Sequence, residues 1–213
     1  VDEGRGQPIL LLHGNPTWSF LYRKMILALR PGYRCIAPDY PGFGLSEASR
    51  GYDFKPESHV LAIGELIDDL KLKNVVVVMQ DWGGPIGLKL AQTCPDRIDR
   101  LVIGNTWAWP LRGEPRFEIF SWLMGGPAGR WMATAFNGVW RSFMARGFAT
   151  RPAPAVMEMY RAPFRSRRDR LPTAIFPRQL VQATALMEGV ERGLGALRKK
   201  PVLLLWGNRD FAF

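Results

Sequence analysis

The most constraining stretch of this chain is Val75-Val76-Val77-Val78-Met79-Gln80-Asp81-Trp82-Gly83-Gly84. Apolar residues in unbroken succession, without polar alternation, suit a strand covered on both faces of a parallel sheet. The glycines mark a tight turn, and the apolar spacing that follows predicts a helix over 83–93. Strand, sharp turn and helix in that order form a nucleophile elbow, which holds the turn residue above the sheet with the next helix starting beneath it. Asp81 stands at that position. The plainer alternative is an Asp that only caps the helix.

Similar apolar runs at 8–12, 33–37, 100–104 and 201–206 predict further strands buried on both sides. Helical patterns at 19–29 and 57–70 lie between the early ones. Ile63, Leu66, Ile67 and Leu70 fall at the three- and four-residue spacing of a helix packed on a sheet. This alternation predicts an α/β fold with a mostly parallel sheet flanked by helices. After Asn105 the composition shifts to Trp107, Trp109, Trp122, Trp131 and Trp140 among many Pro, Gly and Met residues, with no strand before Pro201. Residues 107–190 are therefore expected to form a helical lid inserted into a core of 1–106 and 191–213. The lid would cover the carboxyl ends of the strands, where open α/β sheets bind ligands.

A length of 213 residues suits one domain. Lys and Arg number 29 against 19 Asp and Glu, a net charge of +10. The densest basic stretch, 161–170, contains Pro163 and lacks amphipathic periodicity, so it reads as a solvated face rather than a nucleic-acid or membrane surface. No apolar run approaches the ~20 residues that span a bilayer, and Val1-Asp2-Glu3-Gly4 carries no leader pattern. Cys35 and Cys94 fit neither a disulfide framework nor a metal cluster, so free thiols in the reducing cytoplasm are expected.

The positive end of the following helix favours an ionised Asp81. A carboxylate there can attack a saturated carbon without a base, forming an ester that activated water later hydrolyses. His13-Gly14-Asn15-Pro16-Thr17-Trp18 follows the strand at 8–12, at the place of the loop that supplies half of an oxyanion hole. The candidate donors are the backbone N–H groups of Asn15 and Trp82. Leu204-Leu205-Trp206-Gly207-Asn208-Arg209-Asp210 sets an acid in the turn after a strand, although an Asp there is most often only a turn residue.

Together, His13-Gly14-Asn15-Pro16 and Gln80-Asp81-Trp82-Gly83-Gly84 resemble the haloalkane dehalogenases of the α/β-hydrolase superfamily, with nearly the whole chain in register. Pro38-Asp39-Tyr40-Pro41-Gly42-Phe43-Gly44-Leu45-Ser46 and Tyr160-Arg161-Ala162-Pro163-Phe164 resemble two further segments of that family. The resemblance implies Asp81 as nucleophile and Asp210 as triad acid, Asn105 occupying the rival acid position. It implies the Trp82 indole N–H and Asn15 as halide donors, with Trp107, Trp109 or Trp122 as weaker lid candidates. Substrate and products would be a small halogenated hydrocarbon, water and halide. A cytoplasmic monomer without cofactor or metal is expected.

The triad order of this fold is nucleophile, acid, histidine. The two histidines, His13 and His59, both precede Asp81, so the base His is absent from the chain. His13 is expected to order its loop, and His59 to be structural or exposed. The chain is expected to be a fragment shortened at both ends. Two other readings stay open. An epoxide hydrolase would share the elbow Asp but needs lid tyrosines, of which Tyr160 is the one present. A non-catalytic binding protein could occupy the same fold.

Overall fold

The computed structural model describes residues 1–144, 146–210 and 212. Within them one sheet is built from β1 (Asp2–Glu3), β2 (Gln7–Leu12), β3 (Tyr33–Ile36), β4 (Val75–Gln80), β5 (Ile98–Gly104) and β6 (Val202–Leu205). Their spatial order is β1-β3-β2-β4-β5-β6, parallel throughout except for the antiparallel pair β1 and β3. β4 thus lies between β2 and β5. Its register pairs Met79 with Leu12 and Gln80 with Gly104, so the loops leaving all three strands emerge side by side at their carboxyl ends.

The side-chain period of two explains the apolar run in β4. Val75, Val77 and Met79 pack with Ile63 and Ile67 of α2 (Pro56–Asp69) and with Ile86 and Leu90 of α3 (Gly83–Thr93). Val76 and Val78 face the other way, against Tyr22 and Ile26. Ile26 belongs to α1 (Arg23–Leu29), which a short 3-10 turn over Ser19–Tyr22 precedes. Burying each such side chain is worth about 1.5–3 kcal/mol, so a polar residue at 75–79 would be costly on either face.

Between β5 and β6 run α4 (Pro115–Gly125), α5 (Pro127–Phe136), α6 (Gly138–Phe143), α7 (Pro154–Arg161), α8 (Leu171–Gln182) and α9 (Thr184–Gly193). Several of the prolines here sit where they favour helix formation, although Pro177 lies inside α8. α4, α5 and α7 each begin on Pro, where the missing N–H would have no intrahelical acceptor. α5 ends on Asn137 in the left-handed conformation, φ +56°. α9 lies against α3, with Gln92 Nε2 donating to the Val190 carbonyl at 2.7 Å.

The strand at the end of the chain departs from expectation. Val202 to Trp206 are 49–64% exposed rather than buried on both sides, because β6 is the last strand in the order and hydrogen-bonds to β5 alone. The basic stretch is also not uniformly solvated, since Arg170 donates to the carbonyls of Phe164, Thr134, Ala135 and Arg165. Both cysteines are free thiols, Cys35 buried and Cys94 partly so. Among the described residues no helix is long and apolar enough to cross a membrane, and no side-chain cluster could hold a metal ion.

Candidate active site

Asp81 follows β4 directly at φ +52°, a left-handed conformation that Asp and Asn adopt more readily than other side chains. Its backbone is held from both sides. The N–H donates to Asn105 O at 2.9 Å, and the carbonyl accepts from Thr106 Oγ1 at 2.6 Å and from Gly84 N at 2.9 Å. The neighbouring glycines are required by close approach. A Cβ on Gly83 would overlap the Leu12 carbonyl, one on Gly84 the Thr106 side chain, and one on Gly14 the Asp81 carboxylate.

The carboxylate accepts from the backbone N–H of Asn15, at 2.6 Å to Oδ1, and from that of Trp82. These are the two amides predicted from the loop after β2 and from the elbow. Burial nevertheless pushes the Asp81 carboxyl up to about 7. The two amides pull it down, and the charge of Asp210 pushes it further up. The amides at the helix start favour the ionised form as expected, but desolvation outweighs them.

Asp81 opens on a cavity of about 690 Å³ whose wall is mostly apolar, with Phe117, Phe120 and Leu180 among its lining residues. Asp210 lines the same cavity, and its Oδ1 accepts from Ala212 N at 2.7 Å. Asn105 is a brace. Its Nδ2 donates to Gly207 O at 3.2 Å and its Oδ1 accepts from Gly207 N at 2.8 Å, tying the end of β5 to the turn that carries Asp210.

The Trp82 indole is buried between Trp107, with ring centroids 4.8 Å apart, and Phe176 at 5.0 Å, both edge-on. Asn15 Nδ2 donates to Thr173 O at 3.5 Å. Of the lid tryptophans, Trp107 is the one brought to Trp82. Trp109 and Trp122 are 53% and 67% exposed and are not part of the cavity wall. Tyr160 is buried away from the cavity, its hydroxyl accepting from Arg23 Nη1 at 3.0 Å.

Neither histidine lines the cavity. His13 orders its loop as expected, with Nδ1 donating to Gly14 O at 3.0 Å and Nε2 accepting from Tyr40 N at 3.3 Å. Burial pulls its pKa down to about 4, so the ring is neutral. His59 is structural, fully buried rather than exposed, and burial pulls it to about 3. The loop carrying Tyr40 and Phe43 folds around Asp39, which accepts from Ser19 N and Leu45 N at 2.7 and 2.9 Å.

Sequence reasoning missed Thr106, Thr173 and Phe176, as well as the cavity-lining Phe117, Phe120 and Leu180. Thr106 had a usable signal, a small hydroxyl beside the strand end next to the elbow. Thr173 and Phe176 had none, being brought in by α8 from far along the chain.

Residues 7–213 match the α/β-hydrolase fold family. The chain is 44% identical over 214 residues to haloalkane dehalogenase 2 of Mycobacterium tuberculosis, covering all of this chain and 74% of that protein. It is 34% identical over 223 residues to the cis-3-alkyl-4-alkyloxetan-2-one decarboxylase of Shewanella oneidensis, covering all of this chain and 70% of that one. Among solved structures, the putative ancestral haloalkane dehalogenase AncHLD2 superposes with a TM-score of 0.88 at 28% identity, over 98% of this chain and 77% of that one. Fold, site geometry and full-chain similarity converge, and the chain belongs to the haloalkane dehalogenase family of α/β-hydrolase-fold enzymes.

Proposed function

We propose that the cavity binds a haloalkane and that an Asp81 oxygen displaces its halogen. The C–O bond forms as the carbon–halogen bond breaks, the electron pair leaves with the halide, and an alkyl ester remains on Asp81. The Trp82 indole N–H and Asn15 Nδ2 hold the departing halide as weak donors in an apolar wall. When water attacks the ester's carboxyl carbon, negative charge develops on the oxygen already held by the Asn15 and Trp82 amides. Those amides then act as the oxyanion hole.

Asp210 is assigned as the acid that orients a histidine base, and residues 107–190 as the cap over the core of 1–106 and 191–213. Both ring nitrogens of His13 are engaged, Nδ1 with Gly14 O in its own loop and Nε2 with Tyr40 N in the loop after β3, and His59 lies outside the cavity wall.

The observation that carries this reading is the 2.6 Å bond from Asn15 N–H to Asp81 Oδ1 at the edge of an apolar cavity. Incubation with 1-bromobutane should release bromide, and Asp81→Asn should release none. Release from both proteins alike would reject the assignment.

The epoxide-hydrolase reading is disfavoured by Tyr160, whose hydroxyl is buried against Arg23 and away from the cavity. A second reading draws on the full-chain similarity to the Shewanella decarboxylase. An oxetan-2-one bearing two alkyl arms would occupy the same apolar cavity. Incubation with such a lactone, followed by measurement of alkene and carbon dioxide, separates the two reactions.

A further inference from the structure

The two halide donors sit on different loops, Asn15 after β2 and Trp82 after β4, and α8 reaches both. Thr173 O accepts from Asn15 Nδ2 at 3.5 Å, which sets which end of that amide faces α8. Phe176 is three residues further on and so on the same helix face. It packs its ring on the Trp82 indole at 5.0 Å with 63° between the planes.

Phe176 is itself seated. Its ring stacks on His59 with centroids 5.5 Å apart and planes within 7°, and Phe43 meets it edge-on at 5.5 Å. Phe43, His59 and Phe176 are all almost completely buried. His59 Nδ1 is paired with Tyr52 Oη at 3.1 Å, while Nε2 is buried without a hydrogen-bond partner. A polar ring in such a place carries a desolvation cost that an apolar residue would avoid. What it supplies is a thin, flat surface under Phe176.

We infer that Phe176 and His59 are positioning residues that fix the angle of the Trp82 indole, so that α8 sets the halide cradle at both of its donors. This rests on the reading of Trp82 and Asn15 as halide donors. The aromatic column runs from His59 through Phe176 to Trp82. Loosening its lower members tilts the indole N–H away from the halide without removing it.

The test is bromide titration of the full chain, read as saturable quenching of intrinsic fluorescence, with Trp82→Phe subtracting the response of the other tryptophans. Phe176→Leu should weaken bromide binding about tenfold, equivalent to ~1.4 kcal/mol and within the range of an aromatic pair. His59→Leu should weaken it in the same direction. His59→Phe, which restores a flat ring, should return it to within about twofold of the parent, a rescue that simple loss of core volume does not predict. Should Phe176→Leu lose its fold, the two His59 variants decide the matter alone. Saturable parent binding with all variants unchanged overturns the column. Absence of any saturable response in the parent overturns the reading of Trp82 itself, and the column with it.

Discussion

The backbone N–H of Asn15 reaches Asp81 Oδ1 at 2.6 Å, across 66 residues of sequence, because β2 and β4 are neighbours whose ends are in register. This one bond holds Oδ1 of the carboxylate at the end of β4. It also brings the loop after β2 onto the Asp81 carboxylate.

The elevated pKa of Asp81 predicts a pH profile. In the proposed reaction only the carboxylate attacks, so the alkylation rate should rise roughly tenfold per pH unit below about 7 and level off above that. Adduct formation measured from pH 5.5 to 8.5 checks this, and a flat profile would contradict it.

The same group bears on stability. Between the ordinary 3.8 and about 7, folded Asp81 holds a proton that the unfolded chain has lost. That contribution is present at low pH and is lost as pH rises through 7. At pH 8, Asp81→Asn, which keeps a side chain tolerant of φ +52°, should stabilise the fold by on the order of 2 kcal/mol, seen as a higher Tm. A lower Tm would show that charge burial is not the dominant cost here.

The two histidines act in the opposite direction. Burial holds His13 near 4 and His59 near 3, so over pH 4 to 6.5 the unfolded state binds more protons than the folded one. Their contribution is complete above about 6.5 and is lost as pH falls toward 4. Urea midpoints in the Asp81→Asn background should fall between pH 7 and pH 5, and His59→Phe should flatten that dependence.

Close backbone approach predicts that glycines at the elbow cannot be replaced. Gly14→Ala would drive a methyl group into the Asp81 carboxylate and should abolish alkylation. Gly84→Ala would displace Thr106, whose hydroxyl holds the Asp81 carbonyl at 2.6 Å, and should cost about 1–3 kcal/mol in denaturant unfolding. Normal alkylation by Gly14→Ala would refute the geometry.

Arg170 gathers the carbonyls of Thr134 and Ala135 near the end of α5 with those of Phe164 and Arg165. A lysine cannot reproduce that planar fork. Arg170→Lys should cost about 1–3 kcal/mol and raise amide exchange in α5, while exchange in β4 stays slow.

What could be read in the chain alone follows how local each signal is. The elbow was legible because Val75–Gln80 is apolar on both faces and Gly83 and Gly84 follow at once. The helices after β5 were not individually legible, because their leading prolines resemble loop composition until placed at first helical positions. Nothing local distinguishes Trp107, buried against Trp82, from the exposed Trp109 two residues later. The contacts of Thr173 and Phe176 with the site depend on how α8 docks, which no periodicity encodes. The exposure of β6 depends on its place in the sheet order, and its sequence reads like that of a central strand.

The most direct test of the central claim is intact-protein and peptide mass spectrometry after incubation with 1-bromobutane or 1,2-dibromoethane, with Asp81→Asn alongside. An alkyl adduct that maps to Asp81 is expected, with none in the variant. Folded protein that acquires no adduct, or acquires it equally in Asp81→Asn, would contradict Asp81 as the nucleophile.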